Sequence, residues 1–274
     1  MKILNGKDLA SYIKERQAKA VRGLRQAHGI KPKLAIVLTK DDPVINTYVR
    51  LKKRYGADIL VDVDIHVVEQ AQASGLINNL NKDHAVHGII VQLPLSDISQ
   101  TDDIVNLVAP EKDVDALGKR AEFDPATPLA IMWLLSGYNV ELNGKHILLV
   151  GRGKLVGAPL EKILKESGLD VQVVDRKAGE LSQYTKQADV IITATGSPAV
   201  LRSDMIKYGT VVVDAGVASE SGKTVGDLDP DVYERDDLTI TPTKGGVGPL
   251  TVCALFENVI IAARRKAETK AHVS

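Results

Sequence analysis

Apolar residues follow two rhythms along the chain. In residues 7–28, Leu9, Ile13, Ala20, Leu24 and Ala27 fall at helical spacing between charges, which predicts an amphipathic helix. Residues 33–39 form a short continuous apolar run and predict a buried strand. Residues 44–55 predict a helix that stops at Gly56. Residues 61–68 alternate as a second strand, 75–80 read as helical, and 87–93 predict a third strand closed by Pro94. After an irregular, charged boundary at 110–128, the alternation resumes. A helix is predicted at 128–138, then a strand at 146–150 and a helix at 155–167. Strands follow at 171–174, 190–193, 211–214 and 238–241, and a last helix at 249–266. Strand and helix in alternation predict an α/β architecture. We expect two domains with a cleft between them: an N-terminal α/β domain of residues 1–118 plus 252–274, and a parallel-sheet domain of residues 119–251.

Composition sharpens this picture. The chain of 274 residues is 44% hydrophobic but only 4% aromatic. Its core must rest on Val, Ile, Leu and Ala, which suits a parallel sheet covered on both faces. Lys plus Arg and Asp plus Glu number 35 each. With no basic excess, a nucleic-acid partner is not expected. The single Cys253 excludes an intrachain disulfide and fits a reducing compartment. The N-terminus lacks a long apolar stretch and no span-length apolar run is evident. A cytoplasmic protein with no membrane partner is therefore the expectation. The six His residues lack ligand spacing, so no metal site is expected.

The predicted strand at 146–150 runs into Gly151-Arg-Gly153 and then Gly157, at the start of a helix. Gly151 permits a tight turn, Gly153 lets a diphosphate approach the backbone, and Gly157 lets the helix pack closely. The helix N-terminus then offers amides to an anion, which makes the second domain Rossmann-like. The spacing is one residue longer than the usual dinucleotide fingerprint, and a structural βα turn would read the same way. Asp175 ends the next strand, where a carboxylate would accept from a ribose hydroxyl. Arg152 and Arg176 would instead favour a 2′-phosphate. NADP is the expected cofactor, with NAD left open. Thr195-Gly196 and the segment Asp214 to Val217 follow apolar strands and would line the carboxyl edge of the sheet.

In the first half, Tyr48 and Lys52 lie four apart on one helix face. A solvated amphipathic helix would look the same. Gln92 ends an apolar strand, where a buried amide needs partners, although backbone groups could satisfy it. Asp113 and Asp115 follow Pro110 and could belong to a charged linker. Gly245-Gly246-Val247-Gly-Pro249 opens the final helix and could be a simple capped entry.

Taken together, Tyr48-Val-Arg-Leu-Lys52, Gly88-Ile-Ile-Val-Gln-Leu-Pro-Leu95, Lys112-Asp-Val-Asp115, Thr127-Pro128, Val150-Gly-Arg152 with Val156-Gly157, and Gly245-Gly-Val-Gly-Pro249 stand in one order and register. They resemble the signature blocks of the bifunctional methylenetetrahydrofolate dehydrogenase/cyclohydrolases from near one end of the chain to the other. The resemblance implies oxidation of methylenetetrahydrofolate with NADP, hydrolysis to formyltetrahydrofolate, and a homodimer. It implies that Lys52 is the catalytic lysine of hydrolysis, that Tyr48 lines the folate pocket, and that Gln92 holds the lysine. It further implies that Asp115 accepts from the pterin, that Leu93 and the loop of Gly245, Gly246, Val247 and Pro249 border folate, and that Gly151, Arg152, Gly153, Arg176 and Val217 surround the cofactor.

The chain departs from the family pattern at several positions. Ile45 stands for Ser, Ala116-Leu117 for Gly-Phe, Ala126 for Cys, Gly153 for Ser, Lys244 for Pro, and Asp175-Arg176 for His-Ser. The last pair bears on cofactor choice, and Ala116, Leu117 and Lys244 bear on folate geometry. Two rivals stand beside this reading: another two-domain dehydrogenase of shikimate type, and a diverged paralogue that binds folate or dinucleotide without turnover.

Overall fold

A computed structural model describes all residues except 176–178, 217, 221–222 and 272–274. Arg176 and Val217 therefore lie outside the described residues. In chain order the elements are β1 (Lys2–Ile3), α1 (Gly6–His28), β2 (Lys33–Leu38), α2 (Pro43–Asp58), β3 (Asp62–Val67), α3 (Gln70–Lys82), β4 (Gly88–Val91), α4 (Thr101–Val105) and α5 (Ala126–Gly137). They continue with β5 (Ile147–Val150), α6 (Gly157–Glu166), β6 (Val171–Val174), α7 (Ser182–Thr185), β7 (Val190–Thr193), β8 (Val211–Asp214), β9 (Ala218–Glu220), β10 (Lys223–Val225), β11 (Thr239–Ile240) and α8 (Val247–Ala271).

The chain divides into two compact units, Met1–Ser11 with Thr127–Thr251, and Tyr12–Ala126 with Val252–Ser274. These boundaries differ from the expected ones in two places, for physical reasons. The first residues join the unit that holds Thr127–Thr251 because β1 pairs parallel with β11: Lys2 N–H donates to Leu238 O and Leu4 N–H to Ile240 O, both at 2.8 Å. Residues 119–126 stay with the other unit. Phe123 is buried there under the Arg265 guanidinium, and Asn258 Nδ2 donates to Asp124 O at 3.0 Å.

The unit holding Thr127–Thr251 contains a six-stranded sheet in the order β1-β11-β8-β7-β5-β6, and every ladder in it is parallel. Its central strands are continuous apolar runs because both faces are covered; Leu148, Val150, Ile191 and Val212 anchor one core cluster. A small antiparallel hairpin, β9–β10, adjoins the sheet in sequence. The other unit has a three-stranded parallel sheet in the order β3-β2-β4. One of its cores gathers Ala35, Val37, Ile77, Ile89 and Leu95.

Two expectations are corrected. Helix α2 does not stop at Gly56 but runs to Asp58. The glycine serves close packing: a Cβ there would lie 2.5 Å from Val63 Cγ2 and 3.2 Å from Phe256 Cε1. A span-length apolar segment also exists, Val247–Thr269 in α8, with mean hydropathy 1.4. Within that window 61% is buried in protein, as in a core helix.

Candidate functional site

Helix α2 presents the first group of side chains. Asp42 Oδ1 accepts from Ile45 N–H at 3.3 Å, and Pro43 opens the first turn. Ile45 and Val49, each 4% exposed, fix the buried face. This sets Lys52 at the margin of that face, partly buried, whereas Lys53 is exposed. Tyr48, one turn earlier on the same side, is 44% exposed and so accessible to a flat ligand. Lys52 Nζ donates to Gln92 Oε1 at 2.7 Å. Gln92 follows β4 directly. Its backbone N–H donates to Val37 O at 2.9 Å and its Nε2 to Leu93 O at 3.1 Å, so both ends of the side chain are held. Burial pushes the Lys52 ammonium below its usual range, while Asp115 opposes the shift. Burial likewise raises the Asp115 carboxyl, opposed by Lys52. The two groups are thus close enough to sense each other's charge, and the lysine is poised to lose a proton more readily than a solvated one. Lys112, just upstream, is buried and donates to the carbonyls of Leu80, Asn81 and Asp83 at 2.9, 2.8 and 2.7 Å, capping the end of α3.

The second group lies in the other unit, at the end of β5. Gly151 has φ +102, and a Cβ on it would sit 2.6 Å from Ala194 O. A Cβ on Gly157 would sit 2.2 Å from Gly151 O. Both positions therefore demand glycine, and the crook leads into α6, whose ten residues are long enough for a polarised N-terminus. Nothing lies within 4 Å of a Cβ on Gly153, so the protein itself does not require glycine there. Arg152 Nε donates to Glu161 Oε2 at 2.8 Å, and Lys165 Nζ donates to Glu161 Oε1 at 2.7 Å. These bonds hold the Glu161 carboxyl below its usual range, that of Lys165 most strongly. Arg152, Glu161, Lys165, Val171, Val173 and Asp175 line an open pocket of about 510 Å³. The sequence singled out Arg152 and Asp175 but not Glu161 or Lys165. Their spacing of four along one helix was the available signal.

At the same sheet edge, Thr195 N–H and Ser197 N–H donate to Asp227 Oδ2 and Oδ1 at 2.7 and 3.0 Å, and Gly196 has φ +62. Asp227 is fully buried, and its own N–H donates to the Asp214 carboxylate at 3.0 Å. A Cβ on Gly216 would meet Asp227 Oδ1 at 2.0 Å. Asp227 was not anticipated; a lone acid in the otherwise apolar stretch Val225-Gly-Asp-Leu228 was the signal. The turn of Gly245, Gly246, Val247 and Pro249 also belongs to this unit. Gly245 has φ +86 and its carbonyl accepts from Lys7 N–H at 3.0 Å. A Cβ on Gly6 would fall 1.8 Å from Gly246 O. Tyr48, Lys52, Gln92, Leu93 and Asp115 belong to the other unit.

Comparison with known proteins matches both units. Residues 4–115 match the catalytic domain of tetrahydrofolate dehydrogenase/cyclohydrolase, and residues 125–267 match its NAD(P)-binding domain. The bifunctional protein FolD of Campylobacter jejuni strain RM1221 is 40% identical, over 97% of this chain and 99% of its own. A crystal structure of the bifunctional enzyme FolD from Campylobacter jejuni superposes with a TM-score of 0.91 at 39% identity, covering 97% of this chain and 99% of that one. The Trypanosoma brucei enzyme, complexed with NADP cofactor and inhibitor, gives a TM-score of 0.89 at 29% identity, covering 96% and 97%.

Proposed function

Because the chain belongs to the tetrahydrofolate dehydrogenase/cyclohydrolase family, we propose that it oxidises methylenetetrahydrofolate to methenyltetrahydrofolate with NADP and hydrolyses the product to formyltetrahydrofolate. The family assignment favours this over the shikimate-type and non-catalytic alternatives. The observation that carries the hydrolytic half is the bond of 2.7 Å between Lys52 Nζ and Gln92 Oε1, on a lysine whose pKa burial has lowered.

The glycine crook at Gly151 and Gly157 packs backbone against backbone, and the space beside Gly153 is open, which fits a diphosphate at the N-terminus of α6. Gly151, Gly157, Arg152, Asp175, Thr195 and Gly196 would hold the dinucleotide. When bound, it supplies the hydride acceptor for the methylene carbon. Oxidation leaves a cationic methenyl carbon, which water attacks. In its neutral form the Lys52 amine takes the proton released by that water as the carbon–oxygen bond forms. Cleavage of one carbon–nitrogen bond then leaves the formyl group on the other nitrogen. Gln92 keeps the amine in place through one N–H and leaves its lone pair available. Tyr48 offers a face for the folate ring, and the Asp115 carboxylate accepts from pterin N–H groups. The reading extends to a homodimer in a reducing cytoplasm; light scattering at twice the chain mass checks the assembly.

The test is an absorbance assay with methylenetetrahydrofolate and either NADP or NAD. Wild type should turn over faster with NADP. Lys52→Met should lower hydrolysis about a thousandfold while leaving the affinity for NADP unchanged. Hydrolysis at the wild-type rate in that variant would remove the role given to Lys52.

A further inference from the structure

Asp115 stands on a loop, yet its carboxylate is held where it and Lys52 feel each other's charge. Two anchors lie on either side of it. Upstream, Val114 is fully buried, and its methyl groups lie 2.8 and 2.9 Å from where a Cβ on Gly88 would be, so strand β4 must be glycine there. The carbonyl of Val114 accepts from buried Asn258 Nδ2 at 2.9 Å. Downstream, Ala116 has φ +55, a left-handed conformation that costs a residue with a side chain about 1 kcal/mol or more. Its N–H donates to Asp113 O at 3.1 Å. The turn is closed by the Asp113 side chain, which is 3% exposed: Oδ2 accepts from Gly118 N–H at 2.7 Å and Oδ1 from Leu117 N–H at 3.4 Å. A Cβ on Gly118 would press on Asp113 Oδ2 at 2.9 Å, so the clasp leaves little slack.

We propose that Asp113 is a positioning residue for the folate chemistry: its carboxylate clasps the backbone of residues 116–118, holds Ala116 in its left-handed turn, and so aims Asp115 at Lys52 and the substrate. The inference rests on the function proposed above. Asp113 touches no substrate; it acts through Asp115. The cost of the arrangement is electrostatic. Burial lifts the Asp113 carboxyl to about 6, the amides of Gly118, Leu117 and Ala116 pull it back, and the like charge of Asp115 adds to the rise.

The experiment is a double-mutant cycle on the full-length protein with Asp113→Ala, Asp115→Ala and both together, read as folate kcat/KM for oxidation and as the KM for NADP. Asp113→Ala should lower folate kcat/KM about 30- to 100-fold, the loss that follows a misplacement of about 1 Å, with the KM for NADP unchanged. The double variant should be no worse than Asp115→Ala alone, because Asp113 has nothing left to aim. Asp113→Asn keeps an acceptor for Gly118 N–H and should restore folate kcat/KM to within a few-fold of wild type. Losses that multiply in the double variant, or an Asn variant as poor as the Ala one, would overturn the proposal. Should Asp113→Ala fail to fold, Gly118→Ala displaces the same carboxylate and must reproduce the folate-specific loss; normal folate kcinetics in a folded Gly118→Ala would likewise count against the clasp. A wild type without folate turnover would remove both this inference and the proposed function, whereas a fully active wild type with multiplicative losses would remove the inference alone.

Discussion

The two units solve recognition by different means. Around Lys52 the work falls to side chains: an ammonium, an amide and a carboxylate, each partly buried and each shifting or restraining its neighbour. Around Gly151 it falls to backbone shape, because the decisive features are places where no side chain fits. The charged residues at that second site sit at the rim, with the Arg152 side chain 65% exposed beside Glu161 at 11%. With the Arg152 end in solvent, such a pair contributes about 0–1 kcal/mol, so it does not hold the fold. Chemistry that moves a proton needs a desolvated, titratable group. Binding of a diphosphate needs space and oriented amides.

This contrast can be broken from either side. The largest effect is expected from Gly157→Ala, whose added Cβ would lie 2.2 Å from a backbone oxygen that cannot move freely. It should destabilise its unit on the order of 3 kcal/mol and abolish NADP binding, measured by calorimetry. Hydrolysis of supplied methenyltetrahydrofolate should persist. Loss of both activities together would mean that the two sites are not separable. Next comes Gln92→Leu, which removes the acceptor for Lys52 while preserving volume. Hydrolysis should fall about 30-fold with the KM for NADP unchanged; a matching change in NADP affinity would contradict the division of labour.

The smallest effect concerns stability. The folded-state pKa of Asp113, about 6, lies above its ordinary value of 3.8. The folded protein therefore holds this proton more tightly than the unfolded chain. The associated stability is fully present below pH 3.8 and is lost as pH rises through about 6. Asp113→Asn cannot ionise, so at pH 7 to 8 it should be more stable than wild type on the order of 2 kcal/mol. That gain should vanish towards pH 4. Thermal melts across this range give the answer, and a pH-independent difference would show that Asp113 is not strained by its charge.

The sequence made the central strands legible because each is an uninterrupted apolar run; residues 171–174, 190–193 and 211–214 coincide with β6, β7 and β8. Strand β1 escaped notice since Lys2 and Ile3 are exposed and pair only with the distant β11. The hairpin of β9 and β10 has no apolar alternation to betray it. Lys52 and Gln92 stood out through blocks shared with a family, yet nothing in their own segments says that they meet. Glu161 and Asp227 left only weak signals in the sequence: Glu161 sits in ordinary helix sequence and Asp227 in a bend after β10, and their partners Arg152 and Thr195 lie 9 and 32 residues away. Local pattern reports what a residue does to its own element, whereas a site is made of contacts between elements.

The account depends above all on the state of one amine. Nitrogen-15 NMR of lysine-labelled protein, with Lys52→Met used to assign the resonance, follows the Lys52 Nζ through its titration directly. The expected midpoint lies below the ordinary lysine value of 10.5 and rises towards it when Asp115 is intact but Gln92 and the surrounding burial are disrupted. A midpoint at or above 10.5 in the native protein would leave Lys52 without the means to act as the base.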